Sequence, residues 1–166
     1  MFGETVKRIP CDNPIISDEM VEIRKANRTD RNEYMRMRKL LWPGCSDERH
    51  QLETDIILSS SGVVIVAAVS ESKLIGFAEI SIRSDHVEGT KESPVPYLEG
   101  WYVDTEYRAQ GIGKALIKSA EEFSLQRGYS ELASDAELAD HESIAIHKGI
   151  GFKEVGRTVH FVKKIN

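Results

Sequence analysis

The sequence predicts a single α/β domain: a mixed central sheet flanked by helices. Three observations predict it. Strand-like and helix-like stretches follow one another in the order β-α-α-β-β-β-α-β-α-β-β, which suits a layered α/β domain. A long strand, Tyr97–Val103, runs through a short polar turn into two glycines that open an amphipathic helix. No internal repeat and no linker divides the 166 residues, a length that supports one domain with a real core.

Residues 1–19 contain Pro10, Pro14 and few periodic apolar residues, and read as an arm ahead of a domain spanning 20–166. Met20–Arg24 alternates apolar and polar, as a strand does, and Met20 is also a candidate start. Thr29 is the expected N-cap of a helix carrying Tyr34, Met37 and Leu41 on one face. Trp42-Pro43-Gly44 stops that helix, and a second begins near Asp47 with Leu52, Ile56 and Ile57 as its apolar residues. After a loop at Ser59–Gly62, Val63–Val69 reads as a buried strand. The turn Ser70–Lys73 leads into a second strand, Leu74–Arg83, in a hairpin. Ser84–Pro96 is a long polar loop, a length often functional inside a compact domain. The helix after Gly113 carries Leu116, Ala120 and Phe123 on one face and ends at the Arg127-Gly128 cap. A short strand, Tyr129–Ser134, and a short helix, about Ser143–Lys148, follow. Phe152–Val155 and Thr158–Lys164 are expected to close the chain as a hairpin.

Hydrophobic residues make up 40% and charged residues 30%, the balance of a soluble globular protein. The formal net charge of -5 argues against nucleic acid, which needs a basic face, and favours a cationic small molecule. Cys11 and Cys45 have no metal-like spacing and read as free thiols of a reducing compartment. No run approaches the roughly 20 apolar residues of a membrane span, and residues 1–19 lack the apolar core of a signal peptide. A cytoplasmic protein without membrane partners is the expectation.

The turn before the third helix carries the first functional signal. The leading N–H groups of a helix have no internal partner, and its dipole favours an anion there. A phosphate-bearing cofactor is therefore expected at Gln110–Lys114. The mononucleotide pattern G-x-x-x-x-G-K-S/T fails, because Ala115 follows Gly113-Lys114 and position 108 is Arg. The dinucleotide pattern G-x-G-x-x-G fails for want of its third glycine. What remains is R-x-x-G-x-G, Arg108 to Gly113.

That stretch resembles the acetyl-CoA signature of the GCN5-related N-acetyltransferases, R/Q-x-x-G-x-G/A. The resemblance extends over Val21–Val162. Gly151-Phe152, about four residues beyond a helix end, resembles a second signature of that family. Leu41-Trp42-Pro43-Gly44, Gly76-Phe77-Ala78, Ser81-Ile82-Arg83, Leu98-Glu99-Gly100 and Ala133-Ser134-Asp135 are similar, in order and separation, to the aminoglycoside 6'-N-acetyltransferases. The resemblance implies a mixed sheet whose central strands splay. It implies that the CoA pyrophosphate lies on Arg108, Gln110, Gly111, Ile112, Gly113, Lys114 and Ala115, and the pantetheine arm on the backbone of Trp101, Tyr102 and Val103. Ser143 and Asp140 fall where distal CoA contacts are expected, although Asp140 replaces a frequent Asn and puts that contact in doubt. A homodimer is the common state of such enzymes.

An aminoglycoside acceptor is a polycation whose 6'-amine must lose a proton before it attacks a thioester. Its site needs carboxylates that attract the amine and accept or relay the proton. Glu99, on the strand entering the cofactor turn, and Asp135, ending the neighbouring strand, are the candidates; each alternatively is a solvated strand-end carboxylate. By the resemblance both bind the amino sugar, and Glu99 acts as base, directly or through water. Glu79 is a third candidate with an even split. Trp42 is either a core aromatic or a wall of the sugar cleft. Tyr97 faces either core or cleft. His86 reads first as an exposed loop histidine, with acceptor contact as the alternative. His147 stands where many family members carry a Tyr that protonates the departing thiolate; either imidazole serves as that acid or no acid is used. No metal constellation is present. The expected reaction is direct transfer in a ternary complex, with a backbone N–H near Trp101–Val103 polarising the acetyl carbonyl and Cys45 a bystander. The competing readings are acetylation of another small polyamine or peptide amine, and a CoA-binding module without turnover.

Overall fold

The computed structural model describes residues 15–16, 19–59, 63–70 and 73–165. The arm up to residue 14, Cys11 and the loop tips at 60–62 and 71–72 lie outside them. The elements are β1 (Ile15–Ile16), β2 (Glu19–Met20), β3 (Glu22–Lys25), α1 (Arg31–Leu41), α2 (Asp47–Ser59), β4 (Val63–Ser70), β5 (Lys73–Arg83), β6 (Val95–Val103), α3 (Ile112–Gln126), β7 (Ala133–Ser134) and α4 (His141–Gly149). β1 and β2 pair with each other. The remaining strands form one sheet in the order β3-β4-β5-β6-β7, antiparallel except for β6 with β7.

The continuous apolar run of β4 is explained by its place, covered on both faces. Val63, Ile65 and Ala67 point to α3, where Ile112, Leu116, Ile117 and Ala120 complete one core. Val64, Val66 and Ala68 point to α1, where Tyr34 and Met37 complete the other. Period-two alternation along one strand thus feeds two layers.

Several boundaries differ from the sequence expectation. Asn27, not Thr29, caps the first helical turn: its side chain accepts from Thr29 N–H, and Asp30 reaches back to the Asn27 N–H at 2.8 Å. In α2 the apolar Leu52 and Ile56 are 61% and 52% exposed, while His50 and Thr54 are buried. The inward side of that helix is mixed: Ile57 and Leu58 pack on the core, His50 Nε2 meets Trp42 O and Glu53 accepts from Arg38. The expected strand 129–134 is only Ala133–Ser134. The expected closing hairpin is not formed: residues 152–165 have no regular secondary structure, and Phe161 and Val162 are 93% and 97% exposed. Alternating apolar residues make a strand only where a neighbour supplies the ladder, and among the described residues no strand pairs with them.

β6 and β7 touch at two register pairs, Tyr97 with Ala133 and Leu98 with Ser134. Beyond them the strands part. Among the described residues no strand pairs with Glu99–Val103 on that side, so β6 presents an open hydrogen-bonding edge there.

Candidate active site

The site forms where β6 opens. A β-bulge creates it: Glu79 pairs with Gly100 and Ile80 with Leu98, so Glu99 is the extra residue. Bulges re-aim side chains. Here the bulge turns a carboxylate out beside the buried Leu98. The Glu99 side chain is 26% exposed. Its Oε1 accepts a short bond from the Ser81 hydroxyl and another from Arg83 Nε at 3.0 Å. Its Oε2 accepts from Arg83 Nη2 at 2.5 Å.

Arg83 also stacks on Tyr97, with its guanidinium carbon 3.3 Å from the ring centroid. The Tyr97 hydroxyl donates to Asp135 Oδ1 at 2.5 Å. Burial, then that carboxylate, hold the Tyr97 phenol well above its usual range, so it stays a donor. Tyr97 is therefore both a core ring and a cleft hydroxyl. Arg83, Tyr97 and Asp135 line a cavity of about 800 Å³, with exposed His86 at its rim and His147 opposite. Glu99 does not itself line it; its partner Arg83 does.

Glu79 departs from the expected acceptor contact. It is 7% exposed and takes hydrogen bonds from Tyr34 and, at 2.5 Å, from Arg38. Arg38 bridges onward to Glu53 at 2.5 Å and stacks under Trp42, 4.7 Å from its ring. Burial pushes Glu79 up and Arg38 pulls it back, while Glu79 helps to keep Arg38 charged. Glu99 on the bulge turns to Ser81 and Arg83; Glu79 faces α1 and supports it. Trp42 is half-buried, packed against Phe77 and the backbone of Gly100.

His147 sits at the parting of β6 and β7. Its Nδ1 donates to Ser143 O at 2.7 Å, which leaves Nε2 facing the Ser134 hydroxyl at 3.1 Å. That hydroxyl also reaches Leu98 O at 3.1 Å. With neutral imidazole the hydroxyl donates to Nε2; with imidazolium Nε2–H donates to the hydroxyl, which turns to Leu98 O. Trp101 and Phe152 pack on the ring at 4.6 and 5.4 Å. Asp140 caps α4 through Ser143 N–H at 2.9 Å, so these two residues engage each other.

The anion turn is built as its glycines suggest. Gly111 has φ of 83° and caps α3, a left-handed conformation suited to Gly. The first closed helical bond runs from Ala115 N–H to Gly111 O at 3.0 Å, so the N–H groups of Gly111–Lys114 precede it and lack helical partners. Arg108 is exposed and folds back on the end of β6, its Nε donating to Val103 O at 3.0 Å. Gly113 lies opposite Trp101 and Val103, where an added Cβ would come no closer than 3.9 Å. The open edge of β6 and the open N–H groups of α3 thus adjoin. They fit an extended arm ending in a pyrophosphate, as CoA has. Among the described residues no group of three or more His, Cys, Asp and Glu has the arrangement of a metal site, and no helix is long and apolar enough to cross a membrane.

Sequence reasoning did not assign Ser81, Arg83, Ser134, Tyr34 or Arg38. Ser81 and Arg83 share a strand face two residues apart, the one signal available, but only the bulge brings Glu99 to them.

The acetyltransferase (GNAT) family model matches residues 29–152. An aminoglycoside N(6')-acetyltransferase type 1 of Stenotrophomonas maltophilia is 37% identical over 139 residues, covering 84% of this chain and 90% of its own. A protein of the same name from Acinetobacter genomosp. 13 is 40% identical over 134 residues, covering 80% and 91%. Among solved structures, aminoglycoside N-acetyltransferase AAC(6')-Iy in complex with CoA matches with a TM-score of 0.82 at 33% identity, over 89% of this chain and 97% of that one. AAC(6')-Iy with the bisubstrate analogue CoA-S-monomethyl-acetylneamine matches with a TM-score of 0.81 at 34% identity, over 87% and 99%.

Proposed function

Because the chain belongs to the acetyltransferase (GNAT) family, we propose that it acetylates the 6'-amine of aminoglycosides by direct attack in a ternary complex. One observation carries the reading: the bulge at Glu99 sets a carboxylate at the mouth of the open β6 edge, beside the Tyr97–Asp135 pair. Carboxylates converging there suit a cationic amine. The relatives' names supply the acceptor class.

Acetyl-CoA supplies the acetyl group as an activated thioester. The N–H groups of Gly111–Lys114 would hold its pyrophosphate, and the edge of Trp101–Val103 its extended arm. A backbone N–H on that edge polarises the acetyl oxygen. Asp135, fixed by Tyr97, binds an ammonium group of the acceptor. Glu99 takes the proton that the 6'-amine must lose, directly or through one water. His147, oriented through Nδ1 by Ser143 O, holds a proton at Nε2 for the departing sulfur. Trp42 and His86 border the acceptor from the two sides. No side chain of the chain forms a covalent intermediate, and Cys45 is a bystander.

The reading carries a cytoplasmic enzyme and a homodimer that covers the exposed Phe161, Val162 and Ile165. Sedimentation at micromolar concentration would give a single dimeric species; a monomer would remove the pairing.

Thiol release from acetyl-CoA across an amine panel tests the function. Turnover with aminoglycosides bearing a 6'-amine, and none with their 6'-hydroxy analogues, is expected. Turnover restricted to polyamines or peptide amines would replace the acceptor. CoA binding without turnover on any amine would make the protein a binding module.

A further inference from the structure

Glu99, as the cleft is built, already has a cationic partner. Ser81 and Arg83 stand two residues apart on β5 and reach the same carboxylate. A carboxylate oxygen accepts about two hydrogen bonds in its plane. Oε1 has both, from the Ser81 hydroxyl and Arg83 Nε. Oε2 has one, from Arg83 Nη2 at 2.5 Å, and so keeps one acceptor position. The guanidinium plane is fixed in turn by the Tyr97 ring 3.3 Å beneath it, and Tyr97 by Asp135. β5 and Tyr97 therefore decide where the open position of Glu99 points before any acceptor arrives.

We propose that Arg83 and Ser81 are positioning residues for Glu99, filling Oε1 and leaving a single position on Oε2 for the N–H of the incoming amine or its relay water. This rests on the acetyl-transfer reading above. The fork geometry matters because a guanidinium offers two parallel donors and a flat face at once, which an ammonium does not. The charged groups facing Glu99 are Arg83 and Glu79 from β5, with Arg38 of α1 behind Glu79, Tyr97 from β6, and Asp135 after β7. Glu79 and Asp135 are anionic neighbours; Arg83 is the cation that opposes them. Its removal takes away the one cation that, among the described residues, contacts Glu99.

The test compares Arg83→Gln, Arg83→Lys and Ser81→Ala with the wild type in two measurements. In the first, kcat and KM for an aminoglycoside and for acetyl-CoA are followed across pH. In the second, the Glu99 carboxyl is titrated by ¹³C NMR in glutamate-labelled protein, with Glu99→Gln to assign the signal. Arg83→Gln is expected to lower kcat about tenfold and leave KM for acetyl-CoA within about twofold, while the acidic limb of kcat/KM and the Glu99 titration both move about one unit upward. Arg83→Lys should restore the titration but not kcat, since an ammonium supplies charge without the fork. Ser81→Ala should lower kcat about threefold without moving the limb. An unmoved Glu99 titration in Arg83→Gln overturns the proposal, as does an equal loss in acetyl-CoA KM. Should Arg83→Gln fail to fold by circular dichroism, Arg83→Lys and Ser81→Ala decide: wild-type kcat in both overturns it. If the wild type acetylates no aminoglycoside, the functional reading fails by itself, and the NMR titration still decides whether Arg83 governs Glu99.

Discussion

The Trp42 indole rests on the backbone of Gly100: a Cβ at position 100 would come 2.7 Å from Trp42 Cζ2 and 3.0 Å from Leu41 Cδ2. The ring from the end of α1 and the strand carrying Glu99 are thus one packed unit, and Arg38 holds the far face of the ring. Gly100→Ala must push the indole aside. Overpacking of this kind costs about 1–3 kcal/mol, so a Tm several degrees lower and a raised aminoglycoside KM are expected. Combined with Trp42→Phe, which vacates the space, the two penalties should fall short of their sum. Strict additivity in thermal melts would show that the contact is not what links the two sites.

Glu99 is the proton acceptor of the proposed reaction. Glu99→Gln keeps the shape, and its one remaining oxygen can still accept from Arg83, but the NH2 group in place of the other oxygen cannot, and the carboxylate charge is lost. A positioned general base contributes about 10²-fold or more, so kcat should drop by about that factor. Acetyl-CoA affinity, which the proposal places on β6 backbone and α3 N–H groups, should stay within about twofold. A parallel loss in acetyl-CoA binding would move Glu99 from the chemistry to the scaffold.

Much of this was legible in the sequence, and the rest was not for definite reasons. The strand-turn-helix at Val103–Ile112 is local: glycines, a polar turn and an apolar helix face lie in register along the chain, and the structure follows them. The paired ends of β6 and β7 were readable because Glu99 and Asp135 each end or interrupt an apolar run. The bulge at Glu99 was not, since one extra residue in a strand leaves no mark in composition; it depends on how β5 and β6 align. For the same reason Ser81 and Arg83, although part of a stretch that resembles the family, received no role. Glu79 and Glu99 look alike in sequence, each a lone carboxylate in an apolar strand, yet one is sealed against Arg38 and Tyr34 and the other is half-open beside Arg83, which lines the cavity. His50 carries no local signal of its place. Its Nε2 meets Trp42 O at 3.2 Å and it is 1% exposed, a contact that depends on how α2 packs on the end of α1.

Tyr97→Phe removes the donor that fixes Asp135. The phenol is held protonated far above neutral pH, first by burial and then by Asp135, so it does not titrate in the working range. The variant should therefore raise aminoglycoside KM several-fold, in keeping with about 1 kcal/mol for a lost hydrogen bond. The shape of the pH-rate profile should be unchanged. A new or missing limb would mean that Tyr97 exchanges protons with the acceptor.

Asp30 gives a stability prediction with a definite sign. Its carboxylate is 3% exposed and is held by Arg24 at 2.7 and 2.8 Å and by the Asn27 N–H at 2.8 Å. Burial raises its pKa, but the Arg24 hydrogen bonds, the Asn27 N–H and the Arg24 charge lower it further, to below the usual 3.8. A folded-state pKa below the unfolded one means stability present above the unfolded value and lost as pH falls through the folded one. Asp30→Asn should cost about 2 kcal/mol at pH 7. Urea unfolding repeated below pH 4 should show wild type and variant converging. A constant gap down to acid pH would mean that the charge is not what stabilises the turn.

Gly111→Ala isolates the anion turn from the acceptor cleft. With φ of 83° and nothing within 4 Å of the new Cβ, the variant meets strain but no clash. Left-handed backbone costs an L-residue about 1–2 kcal/mol, which the turn can shed by rotating the N–H groups of Gly111 and Ile112 off their common direction. CoA affinity should weaken several-fold, while acceptor KM at saturating acetyl-CoA and the pH profile stay as in the wild type. The two halves separate in this way because the proposed reading seats the anion on backbone at the start of α3 and the amine on side chains at the bulge of β6. If Gly111→Ala instead altered acceptor KM and left CoA binding intact, the pyrophosphate would have to be seated elsewhere than on α3.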